Sequence, residues 1–365
     1  MASTPLGDTD NQQISRHLTA ADRAAQLADD ARRGLTATPK ELPPKWFYDE
    51  TGGRLFDEIT RLPEYYPTRR ERAILAAHAA EIAAFSRADT LVELGSGTSE
   101  KTRLLLDTLL GDAGTLRRFV PFDVDEAVLR HAAATLRSAH PALQVSALVG
   151  DFDHHLGHLP TAEARLVAFL GSTIGNLRPD ERYRFLSRLR ATASDGDVLL
   201  LGTDLVKDPA RLVAAYDDAA GVTAAFNANV LTVINRELGG DLDPHGFAHV
   251  AAWNPDAEWI EMRLRSRRPQ TARIADLGLT VSFEADEQMR TEISAKFRRD
   301  SVEKELAGAG WHLTHWWTDP DGDFAVSLSV PHRVSGRTSV TAGVASATDG
   351  HDHDRALSRF SLPVR

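Results

Sequence analysis

The sequence predicts a doubly wound α/β domain that carries an inserted α+β region, and three observations predict it. Between residues 90 and 203 short apolar runs (LVELG, FVPFDV, VSALVGD, LVAFLGS, DVLLLGT) alternate with helix-like intervals. Those runs are continuous rather than alternating apolar with polar, as in parallel strands covered on both faces. Beyond Asp204 the alternation breaks, and helical stretches precede segments of antiparallel character.

The elements follow in chain order. Residues 1–13 show no apolar periodicity and are expected to be flexible. Residues 14–85 read as a helical segment: an Ala-rich helix over about 14–33, an aromatic stretch KWFYDETGGRLFDEITRLPEYYPT, and a second helix over about 69–85. Aromatic rings in turn-rich sequence serve either as core packing or as walls of a small-ligand site. Residues 86–203 hold the strand and helix alternation, with helices through LLLDTLL, VLRHAAATLR and ERYRFLSRLR. Residues 204–330 open with helical PARLVAAYDDAAG and VTAAFNANVLTVINREL. They continue with β-like EWIEMRLRSRR, TARIADLGLTVSFEA, WHLTHWWT and FAVSLSV, the last of which are expected to rejoin the main sheet. Residues 331–365, rich in Ser, Thr, Gly, His and Asp, are expected to be disordered.

Composition narrows the function. With 365 residues, 42% of them hydrophobic, the chain is long enough for a large core. No apolar run reaches the roughly 18–20 residues that cross a bilayer, and the start MASTPLGDTDNQQ has neither a basic nor an apolar segment, so a cytoplasmic setting without a membrane is expected. The absence of cysteine excludes disulfides and thiolate chemistry. A net charge of -10 argues against a sequence-independent hold on nucleic acid. The basic run over residues 263–273 reads as a solvated strand or turn on an acidic protein.

The stretch LVELGSGTSEKTR carries the first chemistry. In a doubly wound sheet, ligands sit outside the carboxyl ends of the strands, where the Gly95 turn lies. Glycine there lets a ligand approach the main chain, and Thr98 or Ser99 can cap the next helix. Two acids, Glu93 and Glu100, flank the turn. They suit a ligand with positive charge, such as the sulfonium and ammonium of S-adenosylmethionine, better than a pyrophosphate. The second strand ends with Asp123, placed to hold ribose hydroxyls. The third ends GDFD, so Asp151 can accept from an adenine amino group while Phe152 packs on its ring.

These segments, with PPKWFYDE, LFDEITRLPEYYPTR, PFDVD, FLGSTIGNL, GTDLVKD, YDDAAGVTAAFNANVL and MRTEISAKFR, resemble the S-adenosylmethionine-dependent methyltransferases of Rossmann-like fold. At finer grain they resemble the L-histidine Nα-methyltransferases of ergothioneine biosynthesis, over residues 35–329. The resemblance implies trimethylation of the α-amine of free L-histidine to hercynine, through mono- and dimethylated intermediates, by a monomer. It implies that Asn176 and Tyr216 clamp the substrate carboxylate, and that Tyr48, Phe56 and Tyr65 line the pocket, Tyr65 near the imidazole and Tyr48 near the amine through a water. Thr223 and Met262 map onto the pocket wall, and Lys101 onto the cofactor site. Glu292 and Ser294, two apart in an extended segment, point the same way. One of them can accept an imidazole N–H while the other completes the pair.

Methyl transfer from a sulfonium is an in-line displacement carried by positioning and charge complementarity, and it needs no metal. The amine must be neutral to attack, yet no side chain stands out as its base. It loses its proton either to water on entry or through Tyr48 and its water. The 14 histidines, including His154, His155, His158, His312, His315, His351 and His353, read as surface positions, and no metal site is expected.

Overall fold

The computed structural model describes residues 14–97, 102–111 and 114–332. In chain order the strands and helices are β1 (Ile14–Arg16), α1 (Ala20–Thr36), α2 (Glu50–Ile59), α3 (Pro67–Ser86), β2 (Thr90–Leu94), α4 (Arg103–Leu110), β3 (Arg118–Asp123), α5 (Glu126–Ala139), β4 (Gln144–Val145), β5 (Ala147–Val149), β6 (Arg165–Phe169), α6 (Pro179–Ala191) and β7 (Val198–Asp204). They continue as α7 (Pro209–Ala214), α8 (Val222–Leu238), β8 (Phe247–Asn254), β9 (Trp259–Ser266), β10 (Gln270–Ile274), β11 (Leu279–Phe283), β12 (Gln288–Ala295), α9 (Arg299–Gly308), β13 (Trp311–Thr318) and β14 (Phe324–Pro331). The termini expected to be flexible or disordered lie outside the described residues, apart from Pro331 and His332.

The central sheet runs β1-β5-β3-β2-β6-β7-β14-β13, with β4 beside β3. Its strands are parallel from β1 to β7, and β14 and β13 close it antiparallel. The mixed α/β architecture with a mainly parallel sheet is therefore the one expected, and the last two strands do rejoin it. Alternation of side chains explains why the strands read as unbroken apolar runs. Leu166, Ala168, Val198 and Leu200 face a core with α3 and α4, while Val167, Phe169, Leu199 and Leu201 face another with α6 and α9. Chain order reverses between β2 and β6, which leaves a crevice at their carboxyl ends.

A third core lies apart from the sheet. Residues of α1 and of the turn Pro44–Phe47, with Tyr65 and Tyr66, pack with α8 and the strands β8 to β12. There β12, β9 and β8 form a small antiparallel sheet, beside the hairpin of β10 and β11.

One local expectation is corrected, and the structure adds two details. Residues 14–16 are not the start of the first helix; they form an edge strand paired in parallel with β5, and the helix begins after Thr19, whose hydroxyl caps Asp22 while the Asp22 carboxylate caps Thr19 in return. A three-residue strand is too short to show a period. The stretch TARIADLGLTVSFEA is two strands, turned at Ala275–Leu277. Strand β8 has no counterpart among the expected β-like segments, because its alanines and His249 give no clear alternation.

Candidate active site

The crevice between β2 and β6 is built first by the glycine turn. Gly95 and Gly97 have φ of 66° and 48°, a region that L side chains rarely enter, and a Cβ on either would meet nothing within 4 Å among the described residues. The turn is pinned from behind: Gly95 N–H donates to Phe122 O at 2.8 Å and Gly97 N–H donates to Asp123 Oδ2 at 3.0 Å. Asp125 N–H donates to the other Asp123 oxygen at 3.1 Å. Burial pushes the Asp123 carboxyl above its ordinary value against the pull of these N–H groups. Inside the turn the Ser96 hydroxyl is buried with no hydrogen-bond partner among the described residues. A bare main chain, a strand-end acid and a buried hydroxyl still to be satisfied fit an adenosyl amino acid. Lys101 lies outside the described residues, as do Thr98, Ser99 and Glu100.

At the tip of β5, Asp151 is buried and Phe152 stacks edge-on against Phe169 and Phe185 at 5.6 and 5.8 Å. Lys45, in the turn before Tyr48, bonds Asp30 at 3.0 Å and reaches to 3.9 Å from Asp151. That contact ties the amino-terminal aromatic stretch to the strand tips.

The aromatic residues expected to line the pocket come together as a chain of edge contacts. Tyr48 meets Phe56 at 5.7 Å, Phe56 meets Tyr65 at 6.2 Å, and Tyr65 meets Tyr216 at 6.3 Å. Phe226 on α8 backs Tyr48 and Phe56. Helix α8 also holds the turn: Asn229 donates to Phe47 O and to Asp49, the residue that caps α2. Burial, with Glu292 next, raises the Tyr48 phenol well above its ordinary value, and Asp123 adds to the shift.

On that sheet Glu292 and Met262 are direct cross-strand partners, as are Ser294 and Ile260, so Glu292, Ser294 and Met262 share a face. Glu292 is 9% exposed, and no hydrogen bond or ion pair reaches its carboxyl among the described residues. Burial pushes it up to about 8, with Lys296 pulling the other way. Ser294 Oγ is 2.7 Å from the Tyr216 hydroxyl. Thr223 is buried at the start of α8, where its N–H donates to Asp218 at 2.7 Å. Asn176 ends the turn Thr173–Asn176 after β6, and that turn packs on the end of β12, with Gly175 against the Ala295 backbone. Its side-chain amide makes no hydrogen bond among the described residues.

Behind these groups runs a buried charge network that the sequence reading did not single out. Asp204, at the end of β7, is fully buried and pairs with Lys296 at 2.9 Å and Lys207 at 2.5 Å, and it accepts from the Tyr66 hydroxyl at 2.9 Å. Burial works to raise its carboxyl, but the two ammonium groups hold it below the ordinary value. Lys296 also donates to Tyr216 and Ser294, each at 2.9 Å. The available signal was the period-two continuation of Glu292 and Ser294 to Lys296.

A family model for histidine-specific, SAM-dependent methyltransferases matches residues 27–331. The chain belongs to this family. It is 61% identical over 317 residues to Histidine N-alpha-methyltransferase of Mycolicibacterium smegmatis, covering 87% of this chain and 98% of that protein. It is 56% identical over 316 residues to the protein of the same name from Mycobacterium tuberculosis, covering 87% and 98%. Ergothioneine biosynthesis protein 1 of Neurospora crassa is 29% identical over 316 residues, covering 81% of this chain and 34% of that one. The family named from the segments is thus the family found, and this member of the histidine-specific methyltransferases is an enzyme. No helix among its described residues is long and apolar enough to cross a membrane.

Proposed function

We propose that the enzyme transfers methyl groups from S-adenosylmethionine to the α-amine of free L-histidine, three times in succession, to give hercynine for ergothioneine biosynthesis in the cytoplasm. When bound, that cofactor supplies an electrophilic methyl on a sulfonium. The single observation that carries the reading is the amino-terminal aromatic stretch, which reaches Asp151 at a strand tip through Lys45 at 3.9 Å and, through the ring contacts from Tyr48 to Tyr216, the Ser294 hydroxyl of the small sheet. One space therefore serves donor and acceptor.

In this reading the Gly95 turn, Asp123, Asp151 and Phe152 hold the adenosyl group. Asn176 and Tyr216 grip the carboxylate of histidine, and Glu292 and Ser294 meet its imidazole. A buried carboxyl with no partner of its own is suited to accept an N–H that only the right substrate brings. The rings of Tyr48 and Phe56 lie beside the amine, and Tyr65 lies near the imidazole. Cation–π attraction of roughly 0.5–2 kcal/mol retains the charged mono- and dimethylated intermediates between transfers. The raised Tyr48 phenol stays neutral at physiological pH, so Tyr48 orders the amine and its water while the proton leaves to solvent.

The reading is supported by the names of the 61% and 56% identical relatives. Its test is to incubate the protein with S-adenosylmethionine and histidine and follow product mass. Growth to the trimethylated betaine is expected. A product that stops at one methyl would cut the reading back to monomethylation of histidine, one that forms only with another amine would replace it by the alternative of another small-amine acceptor, and no product would leave a non-catalytic adenosyl-ligand binding protein.

A further inference from the structure

The side chain of Lys296 has no exposure to solvent. Its ammonium has three N–H bonds and three acceptors around it: Asp204 Oδ2, the Tyr216 hydroxyl and Ser294 Oγ, each at 2.9 Å. All of its donors are spent inside the protein. Nothing of Lys296 is left to touch a substrate directly.

The consequence falls on the two hydroxyls. Both oxygens accept from Lys296, and they lie 2.7 Å apart, so one of them donates to the other. The remaining O–H has no acceptor within the triangle, because the ammonium offers none. Lys296 thus compels the Tyr216 and Ser294 pair to present exactly one proton outward. A buried hydroxyl oriented in this way asks for an acceptor on the ligand.

Charge selects the kind of acceptor. Asp204 is matched by two ammonium groups, those of Lys296 and Lys207, so these three groups carry one positive charge in excess; Asp323, the further acid that acts on Lys207, is itself paired with Arg70 and Arg211. Tyr66, the other partner of Asp204 and Lys207, stays neutral because burial and then Asp204 raise its phenol. Glu292 is the nearest other acid on the same strand and remains largely protonated at neutral pH. An excess positive charge in a low-dielectric surround favours an anionic group.

We propose that Lys296 is a positioning residue for the carboxylate end of the amino-acid substrate, fixing the Tyr216 hydroxyl, to which Ser294 donates, as the donor and supplying the charge that balances the carboxylate. The proposal rests on the reading of the site as an amino-acid pocket. It separates carboxylate-bearing substrates from amines of the same shape without any direct contact from the lysine.

The experiment compares histidine with histidinamide, whose carboxylate is replaced by a neutral amide, in the wild type and in Lys296→Met. S-adenosylhomocysteine binding by calorimetry reports that the fold and donor site are intact. In the wild type, histidinamide should bind at least about tenfold more weakly than histidine. In Lys296→Met the KM for histidine should rise about 10- to 100-fold with kcat changed far less, while the inhibition constant of histidinamide moves less than about threefold. Equal losses for both ligands, or an unmoved histidine KM, would overturn the proposal. Where Lys296→Met loses donor binding, Lys207→Met removes the excess charge and leaves the triangle in place; a selective loss for histidine supports the proposal and an equal loss overturns it. A wild type that methylates no histidine would instead defeat the pocket reading itself.

Discussion

Glu292 of β12 stands directly opposite Met262 of β9, so a carboxyl without a polar partner and a thioether share one buried face. Burial pushes that carboxyl up to about 8, whereas the unfolded chain ionises it near 4.5. The folded state therefore binds the extra proton, and the group costs stability as pH rises from about 4.5 to 8. Glu292→Gln removes that cost. Its advantage over the wild type should be absent below pH 4.5, grow through the window, and level off above pH 8 at roughly 3–5 kcal/mol. Urea unfolding at pH 4.5 and pH 8 measures it, and equal midpoints at pH 8 would contradict the assignment. On the proposed imidazole role of Glu292, histidine methylation should fall in the same variant, since the amide cannot ionise and replaces one carboxyl oxygen by an NH2 donor.

Tyr48 offers a prediction of opposite kind. Its phenol is held neutral by burial and by Glu292, so it contributes a hydrogen bond and no ionisation in the working range. Tyr48→Phe should lower kcat about tenfold, the worth of roughly 1.4 kcal/mol, without displacing the pH profile. Donor affinity should be unchanged. A variant whose profile loses a limb between pH 6 and 9 would show that Tyr48 titrates in the reaction after all.

The contrast between those residues and Lys296 shows what the sequence made legible. The parallel sheet could be read because strands buried on both faces leave continuous apolar runs, and the glycine turn because positive φ restricts the residue type. Glu292 and Ser294 could be paired because an extended segment has a period of two. Lys296 continues the same period, yet a lysine in sequence reads as solvent-exposed. Its burial depends on Asp204, which lies at the end of a strand in the other sheet. Likewise, β1 owes its form to an edge partner far along the chain, β5. Long-range pairing of this kind leaves no local pattern.

The glycine turn can be tested separately from the substrate pocket. Gly97 has φ of 48°, and a Cβ there would meet nothing within 4 Å among the described residues. Gly97→Ala should cost about 1–2 kcal/mol of stability from the left-handed backbone alone. It should also weaken S-adenosylhomocysteine binding by at least about tenfold if, as proposed, the adenosyl ligand lies against this turn, because a methyl group then occupies that surface. Calorimetry reads the second effect and urea unfolding the first. A variant with reduced stability but unaltered donor affinity would place the donor elsewhere.

At the opposite end of the sheet, Arg165 begins β6 and Asp197 precedes β7, both almost fully buried. The guanidinium donates to Asp197 Oδ2 at 2.9 Å, the Arg165 N–H donates to Oδ1 at 3.0 Å, and Ser194 N–H donates to Oδ2 at 2.8 Å. Asp197→Ala leaves a buried guanidinium without its counter-charge and the buried Arg165 N–H without its acceptor, whereas Arg165→Met leaves the carboxylate its two backbone donors. Breaking a buried pair from one side costs about 3–5 kcal/mol, and the alanine variant should lie at the upper end. Both variants should unfold several degrees earlier, roughly 2 °C for each kcal/mol. Their KM values for histidine and for the donor should match the wild type, because the pair lies at the amino ends of strands whose carboxyl ends form the site. A change in either KM at a temperature where the variant is fully folded would mean that strain at this end of the sheet reaches the crevice.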